Sequence, residues 1–234
     1  MPMAHGLLVR AVMITRFRNR RDAGRRLAAE LHRFADRPDV IVLALPRGGV
    51  PVAYEIAAEL HAPLDVFVLR KLGLPWQEEL AMGALASGGV RVLDEDLIRV
   101  ARVSEDDIRR VTNAEQVELE RRERRYRGDR SFPDLTGKTV ILVDDGLATG
   151  STMRAAVAAL RKERPASVVV AVPVAAPETC DAFRDIADDI ICAETPEPFY
   201  AVGLWYEDFS QTTDDEVHEL LAHAMHEGAS AAAR

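Results

Sequence analysis

The stretch TVILVDDGLATGSTM, residues 139–153, decides how the rest of the chain is read. Four apolar residues run straight into Asp144 and Asp145, and a loop of small residues with Gly146, Ala148, Thr149, Gly150, Ser151 and Thr152 follows. MRAAVAALRKER then carries a helical apolar stripe, so the loop lies between a buried strand and a helix. Glycines let a ligand approach the backbone, and the unpaired N–H groups of the helix start present partial positive charge. Such a turn suits a phosphate monoester, with three hydroxyls as extra donors. It is not a nucleotide-triphosphate loop of the Gly-Lys-Ser/Thr kind, because no lysine stands at the required spacing. The paired carboxylates would repel a phosphate unless they accept hydrogen bonds from hydroxyls or face a cation, and a ribose 5-phosphate meets that demand. Capping of the helix by an acid explains one carboxylate, not two.

Outward from this point, the chain alternates strands and helices. DVIVLALP (39–46), LDVFVLRK (64–71), VILV (140–143), ASVVVAVPV (166–174) and DIIC (189–192) read as strands, most of them apolar throughout. Helices are expected from Asp22, with that residue as N-cap, over GVPVAYEIAAELHA, and over 151–164, 177–187 and 104–127, the last capped by Ser104. The fold class is therefore α/β, a doubly wound, mostly parallel sheet flanked by helices, with a small hood and an inserted helical or hairpin segment. Ligands of such sheets bind beyond the carboxyl ends of the strands, where Arg47, Lys71 and the aspartates fall. Residues 1–12 are read as an extension, 13–226 as one domain with a lid or insert at 72–133 and a hood at 193–212, and 227–234 as a disordered tail.

Bulk properties narrow the partners. With 234 residues, 48% of them hydrophobic, the chain can fill a core, and a net charge of −8 argues against nucleic acid or an anionic membrane as partner. No apolar run approaches the ~18–20 residues of a bilayer span. Two cysteines, Cys180 and Cys192, make no disulfide framework and have no metal-ligand spacing, which reads as a reducing, cytoplasmic setting. The six histidines fall on expected helices or their edges and are read as solvated.

VILVDDGLATGST resembles the phosphoribosyl-pyrophosphate (PRPP) motif of the type I phosphoribosyltransferases. The resemblance implies that Asp144 and Asp145 hold the ribose hydroxyls, that residues 148–152 with Gly146 hold the 5′-phosphate, and that PRPP is the donor in a magnesium-dependent transfer. LPRGGVPVA (45–53) looks like the family's pyrophosphate loop, which carries over Arg47, Gly48 and Gly49; Arg70 and Lys71 are placed to meet the same diphosphate. Residues 72–93 match in position the lid of the family and read equally as a hairpin. PEPFYAVGLWYEDF (196–209) resembles the hood that receives a purine-type base. Tyr200 is the stacking candidate, with Phe199 and Trp205 as rivals, Val202 lies beside the base, and Glu207 or Asp208 joins the aspartates at the metal. Ala148 stands where hypoxanthine–guanine enzymes carry an aspartate, in which respect the loop looks more like the adenine enzymes. The catalytic set is then Asp144, Asp145 and Arg47. A homodimer is expected from the apolar hood and long helix. The alternative is a PRPP-binding regulator that recognises RNA, for which RRERRYRGDR (121–130) is the one favouring feature; neighbouring glutamates make a salt-bridged helix the plainer reading.

Overall fold

A computed structural model describes residues 16–232. Strands β1 (Val40–Ala44), β2 (Leu64–Val66), β6 (Thr139–Val143), β7 (Ser167–Val174) and β8 (Asp189–Glu194) form a parallel sheet in the order β2-β1-β6-β7-β8. Helices α1 (Arg20–Glu30), α2 (Gly49–Leu60), α5 (Ser151–Lys162), α6 (Pro177–Ala182) and α7 (Asp214–Ala232) flank it. Successive residues of each strand point to opposite faces, and both faces are covered. Val42, Ile141 and Val169 pack with Leu27, Ile56 and Leu221 on one side; Leu43, Leu142 and Val170 pack with Met153, Val157 and Phe183 on the other. That double burial is why these strands lack polar alternation.

The chain leaves β1 through α2 to reach β2 on one side, then returns much later to place β6 on the other side of β1. The order reverses between β1 and β6, and register pairs Ala44 with Val143, so the two strands end level. A crevice opens at such a switch point. Among the described residues no helix is long and apolar enough to cross a membrane.

Between β2 and β6 lies the insert. Strands β3 (Leu69–Leu74), β4 (Gln77–Ala86) and β5 (Val90–Leu93) make an antiparallel sheet, followed by α3 (Glu95–Ala101) and α4 (Glu105–Arg127). Residues 72–93 are thus a meander, not a structureless loop. The strand expected over 64–71 is two strands in two sheets. The chain changes sheet at Phe67 and Val68, where buried Ser87 clamps the corner: its Oγ accepts from the Val68 N–H at 3.0 Å, and its own N–H donates to the Val68 carbonyl at 3.0 Å. A buried ion pair ties the far end of the insert back to the parallel sheet. Arg127 Nε meets Asp65 Oδ1 at 2.9 Å, and Nη2 donates to the Val66 carbonyl at 2.8 Å. Losing one member would leave a buried charge unpaired, at about 3–5 kcal/mol.

Three further expectations are corrected. Asn19, not Asp22, caps α1, because its Oδ1 accepts the Asp22 N–H at 2.9 Å while Asp22 binds Arg18 and Arg26. The helix expected over 177–187 stops at Ala182 and tightens into a 3₁₀ turn over Phe183–Asp185. Cys180 and Cys192 are disulfide-bonded, joining α6 to β8 across twelve positions, a pairing that the reading of a reducing setting did not expect. Spacing could not reveal the pair, since only the fold sets α6 beside the edge strand. The arginines at 121–127 behave as expected of a salt-bridged helix: Arg121 and Arg122 bind Glu118, whose carboxyl they hold down at about 2, and Arg125 reaches Asp214 and Asp215. Helix α7 runs to Ala232, into the stretch read as a tail; the extension read at 1–12 lies outside the described residues.

Candidate functional site

The aspartate pair stands at the carboxyl end of β6, in the switch-point crevice. Asp144 Oδ1 accepts the N–H of Asp145 at 2.8 Å. Burial, and then the charge of Asp145, pushes the Asp144 carboxyl well above its usual range. Burial also raises Asp145, opposed by the guanidinium of Arg20, whose Nε lies 2.8 Å from Asp145 Oδ2. Two adjacent carboxylates of this kind favour cationic character beside them.

After the pair, the loop is fastened from below and left open above. Leu147 forms a β-bridge with Ala175: its N–H donates to the Val174 carbonyl at 2.9 Å, and its carbonyl accepts from Ala176 at 3.0 Å. Thr179 Oγ1 donates to the Ala148 carbonyl at 2.6 Å. Gly150, the N-cap of α5, has φ +74°, and a Cβ there would meet the Phe183 ring at 2.7 Å, so glycine is required twice over. No side chain caps α5, and Ala148, Thr149, Ser151 and Thr152 are exposed. Helix-start N–H groups are therefore presented to the crevice with two neighbouring hydroxyls, Thr149 Oγ1 and Ser151 Oγ, 3.2 Å apart. The loop expected to bind phosphate has the form of an anion site.

Across the crevice, the two glycines of the β1–α2 turn approach the end of β6 closely. A Cβ on Gly48 would lie 2.0 Å from Asp145 Oδ2, and one on Gly49 would lie 2.7 Å from the Val143 carbonyl. The Pro46–Arg47 peptide is cis. Arg47 is partly exposed, with Asp214 at the start of α7 3.8 Å away. Arg70 and Lys71 do not end a strand of the parallel sheet as expected; they open β3, where Arg70 Nε binds Glu115 of α4 at 2.7 Å and Lys71 reaches Glu79 at 3.3 Å.

The hood closes the third side. Val202 packs on Gly146, where an added Cβ would lie 2.4 Å from its methyl. The backbone of Tyr206 to Asp208 pairs with Phe17 and Arg18. Tyr206 Oη donates to the Asp145 carbonyl at 2.5 Å, and burial raises that phenol far above its usual range. Tyr200 is 79% exposed, free to cover a ligand, whereas Trp205 is half-buried with an indole N–H that meets no acceptor among the described residues. Glu207 and Asp208 are exposed, and the N–H of Ser210 holds Asp208 low at the loop end. Among the described residues no three or more His, Cys, Asp or Glu side chains are grouped so as to hold a metal ion. A pair of carboxylates alone still fits magnesium, which takes one or two carboxylates and completes its shell from phosphates and water.

Four contributors escaped the sequence reading: Arg20, Tyr206, Phe209 and Thr179. Arg20 sits in an arginine-rich run 125 positions from Asp145, and nothing in its spacing points there.

The phosphoribosyl transferase domain model matches residues 12–202, which takes in both glycine loops and the aspartate pair. The chain belongs to the phosphoribosyl transferase domain family. A Mycobacterium tuberculosis protein, provisionally named a phosphoribosyl transferase, is 45% identical over 217 residues in each of two strains, H37Rv and CDC 1551. That alignment covers 93% of this chain and 49% of the relative, so the chain spans about half the length of the curated relatives it matches. The solved structure of TT1426 from Thermus thermophilus is 41% identical, with a TM-score of 0.79 over 89% of this chain and 99% of that one. The match ends at Val202, short of the last hood residues.

Proposed function

We propose that the protein transfers the 5-phosphoribosyl group of PRPP to a ring nitrogen of a purine-type nucleobase and releases pyrophosphate. One observation carries this reading: an uncapped, hydroxyl-lined helix start and two half-buried carboxylates lie close together at the same strand end. The phosphate loop, Gly146 and Ala148 to Thr152, takes the 5′-phosphate, and Asp144 and Asp145 accept from the ribose diol. Held so, the sugar presents C1 toward the hood, where Tyr200 covers the incoming base beside Val202 and Trp205. The bond from C1 to the diphosphate oxygen breaks as the ring nitrogen bonds to C1, with inversion, and the nitrogen's proton is lost to solvent. Positive charge develops on the ribose ring, and the aspartates beneath it stabilise that charge without a covalent step. Arg47 and the amides of Gly48 and Gly49 receive the departing diphosphate. Asp144 and Asp145 would hold magnesium, which would neutralise charge on the leaving group.

A lid is required because a ribosyl cation open to water hydrolyses. We assign this role to the exposed tip of the β3–β4 hairpin, where Trp76 is 59% exposed. The homodimer expected from the hood and long helix belongs to the same proposal, with Leu204 and Val117 exposed on those surfaces; sedimentation of a single monomeric species at micromolar concentration would remove it.

The direct test is a pyrophosphate-release assay with PRPP, magnesium and a panel of nucleobases. Release with one or a few bases is expected. PRPP binding without release for any base would favour the regulatory reading, and neither binding nor release would overturn the proposal.

A further inference from the structure

Three cations were expected at the diphosphate, and in this structure each has a carboxylate beside it on another element or further along its strand pair. Arg70 is bound to Glu115, Lys71 to Glu79, and Arg47 has Asp214 at 3.8 Å. The cation that lies against the β1–α2 turn is a different one. Arg20, the first residue of α1, puts its Nε 3.3 Å from the position a Cβ would take on Gly48, and the same atom binds Asp145 Oδ2 at 2.8 Å. Its Nη1 donates to the Ser210 carbonyl at 2.6 Å, and its guanidinium carbon lies 3.9 Å over the Phe209 ring. The side chain is only 11% exposed. One planar cation is thus fixed from three directions, by the aspartate pair, the hood and the glycine turn.

We infer that Arg20 is a diphosphate-contacting residue of this site, presenting its guanidinium to the leaving group beside Gly48. This rests on the phosphoribosyl-transfer reading proposed above. Asp145 then serves two partners, the ribose diol on one side and Arg20 on the other, and the bridge to Ser210 and Phe209 places the hood on the same cation. A guanidinium suits this position because its fork of donors can serve a carboxylate and a phosphate oxygen in one plane.

Calorimetry on the full chain separates the alternatives, with magnesium pyrophosphate and ribose 5-phosphate titrated separately. Arg20→Met is expected to weaken pyrophosphate by about tenfold or more, the effect of losing a charge-assisted hydrogen bond, while ribose 5-phosphate changes by less than about threefold. Arg20→Lys, which keeps the charge, is expected to recover part of the loss. Removing Arg20 also leaves Asp145 unneutralised, so the comparison is repeated in an Asp145→Asn background. There the loss persists if Arg20 touches the diphosphate and vanishes if Arg20 only offsets the carboxylate. Equal loss of both ligands, no loss of pyrophosphate, disappearance of the effect in that background, or failure of both Arg20 variants to fold would each overturn the inference. A wild-type chain that binds ribose 5-phosphate but not pyrophosphate would overturn it alone, whereas one that binds neither would remove the phosphoribosyl-transfer reading beneath it.

Discussion

On one side of the aspartate pair the chain builds the proposed anion site from what comes next in sequence: Gly150 at φ +74°, the helix start after it, and hydroxyls from Thr149 and Ser151. On the other side, the cation against the glycine turn is Arg20, recruited from 125 positions away. The first half depends on backbone geometry, which a motif encodes locally. The second depends on where α1 docks, which no motif encodes. Mutations should therefore affect the two halves differently, and the supports beneath each offer ways to break the contrast.

The largest effect is expected beneath the phosphate loop. The Cys180–Cys192 disulfide fixes α6, which carries Thr179 and runs into the Phe183 turn under Gly150. Closing a loop of this length is worth about 3 kcal/mol, so reduction should lower chemical-denaturation stability by about that amount. A midpoint that does not move on reduction would remove the disulfide from the account. Next comes the pair that both halves share. Replacing Asp144 and Asp145 together with asparagine should leave a folded protein whose PRPP turnover falls by about tenfold or more, at least ~1.4 kcal/mol of transition-state stabilisation. Unchanged turnover would contradict their assignment.

The same pair sets opposite pH trends for stability and activity. Burial raises Asp144 above the unfolded carboxyl value of about 3.9, so the folded chain holds its proton more tightly than the unfolded chain. Its contribution to stability is present below that value and is lost as pH rises through the raised one. Asp144→Asn, which cannot ionise, should therefore be more stable than wild type at neutral pH, read by thermal unfolding. Turnover needs the ionised form and should climb over the same window; a stability difference that is unchanged between acid and neutral pH would contradict this. The smallest effect is Thr179→Val, which removes one hydrogen bond to the loop and should cost about 1 kcal/mol of stability. Ribose 5-phosphate should weaken more than pyrophosphate in this variant; equal weakening would erase the distinction between the two halves.

The parallel sheet was legible because most of its strands are apolar on both faces, and β1 and β6 stop at a proline and at paired acids, signals that depend only on neighbours in sequence. The aspartates, the phosphate loop and the Gly48–Gly49 turn were legible for the same reason. The break after Val66 was not: LDVFVLRK reads as one run, and only buried Ser87 shows that the chain changes sheet inside it. The assignment of Arg70 and Lys71 as strand-end cations fails at that break, since both belong to β3 and bind glutamates there. The disulfide, the Asn19 cap and Arg20 were hidden because each is settled by tertiary placement or by a competing neighbour of the same type.

The measurement that bears most directly on the central claim is a crystal structure of the protein with PRPP and magnesium. The account predicts the 5′-phosphate against residues 148–152, the ribose diol on Asp144 and Asp145, and the diphosphate over Gly48 and Gly49. A donor bound elsewhere, or lying in the crevice with its diphosphate on the α5 loop, would contradict it.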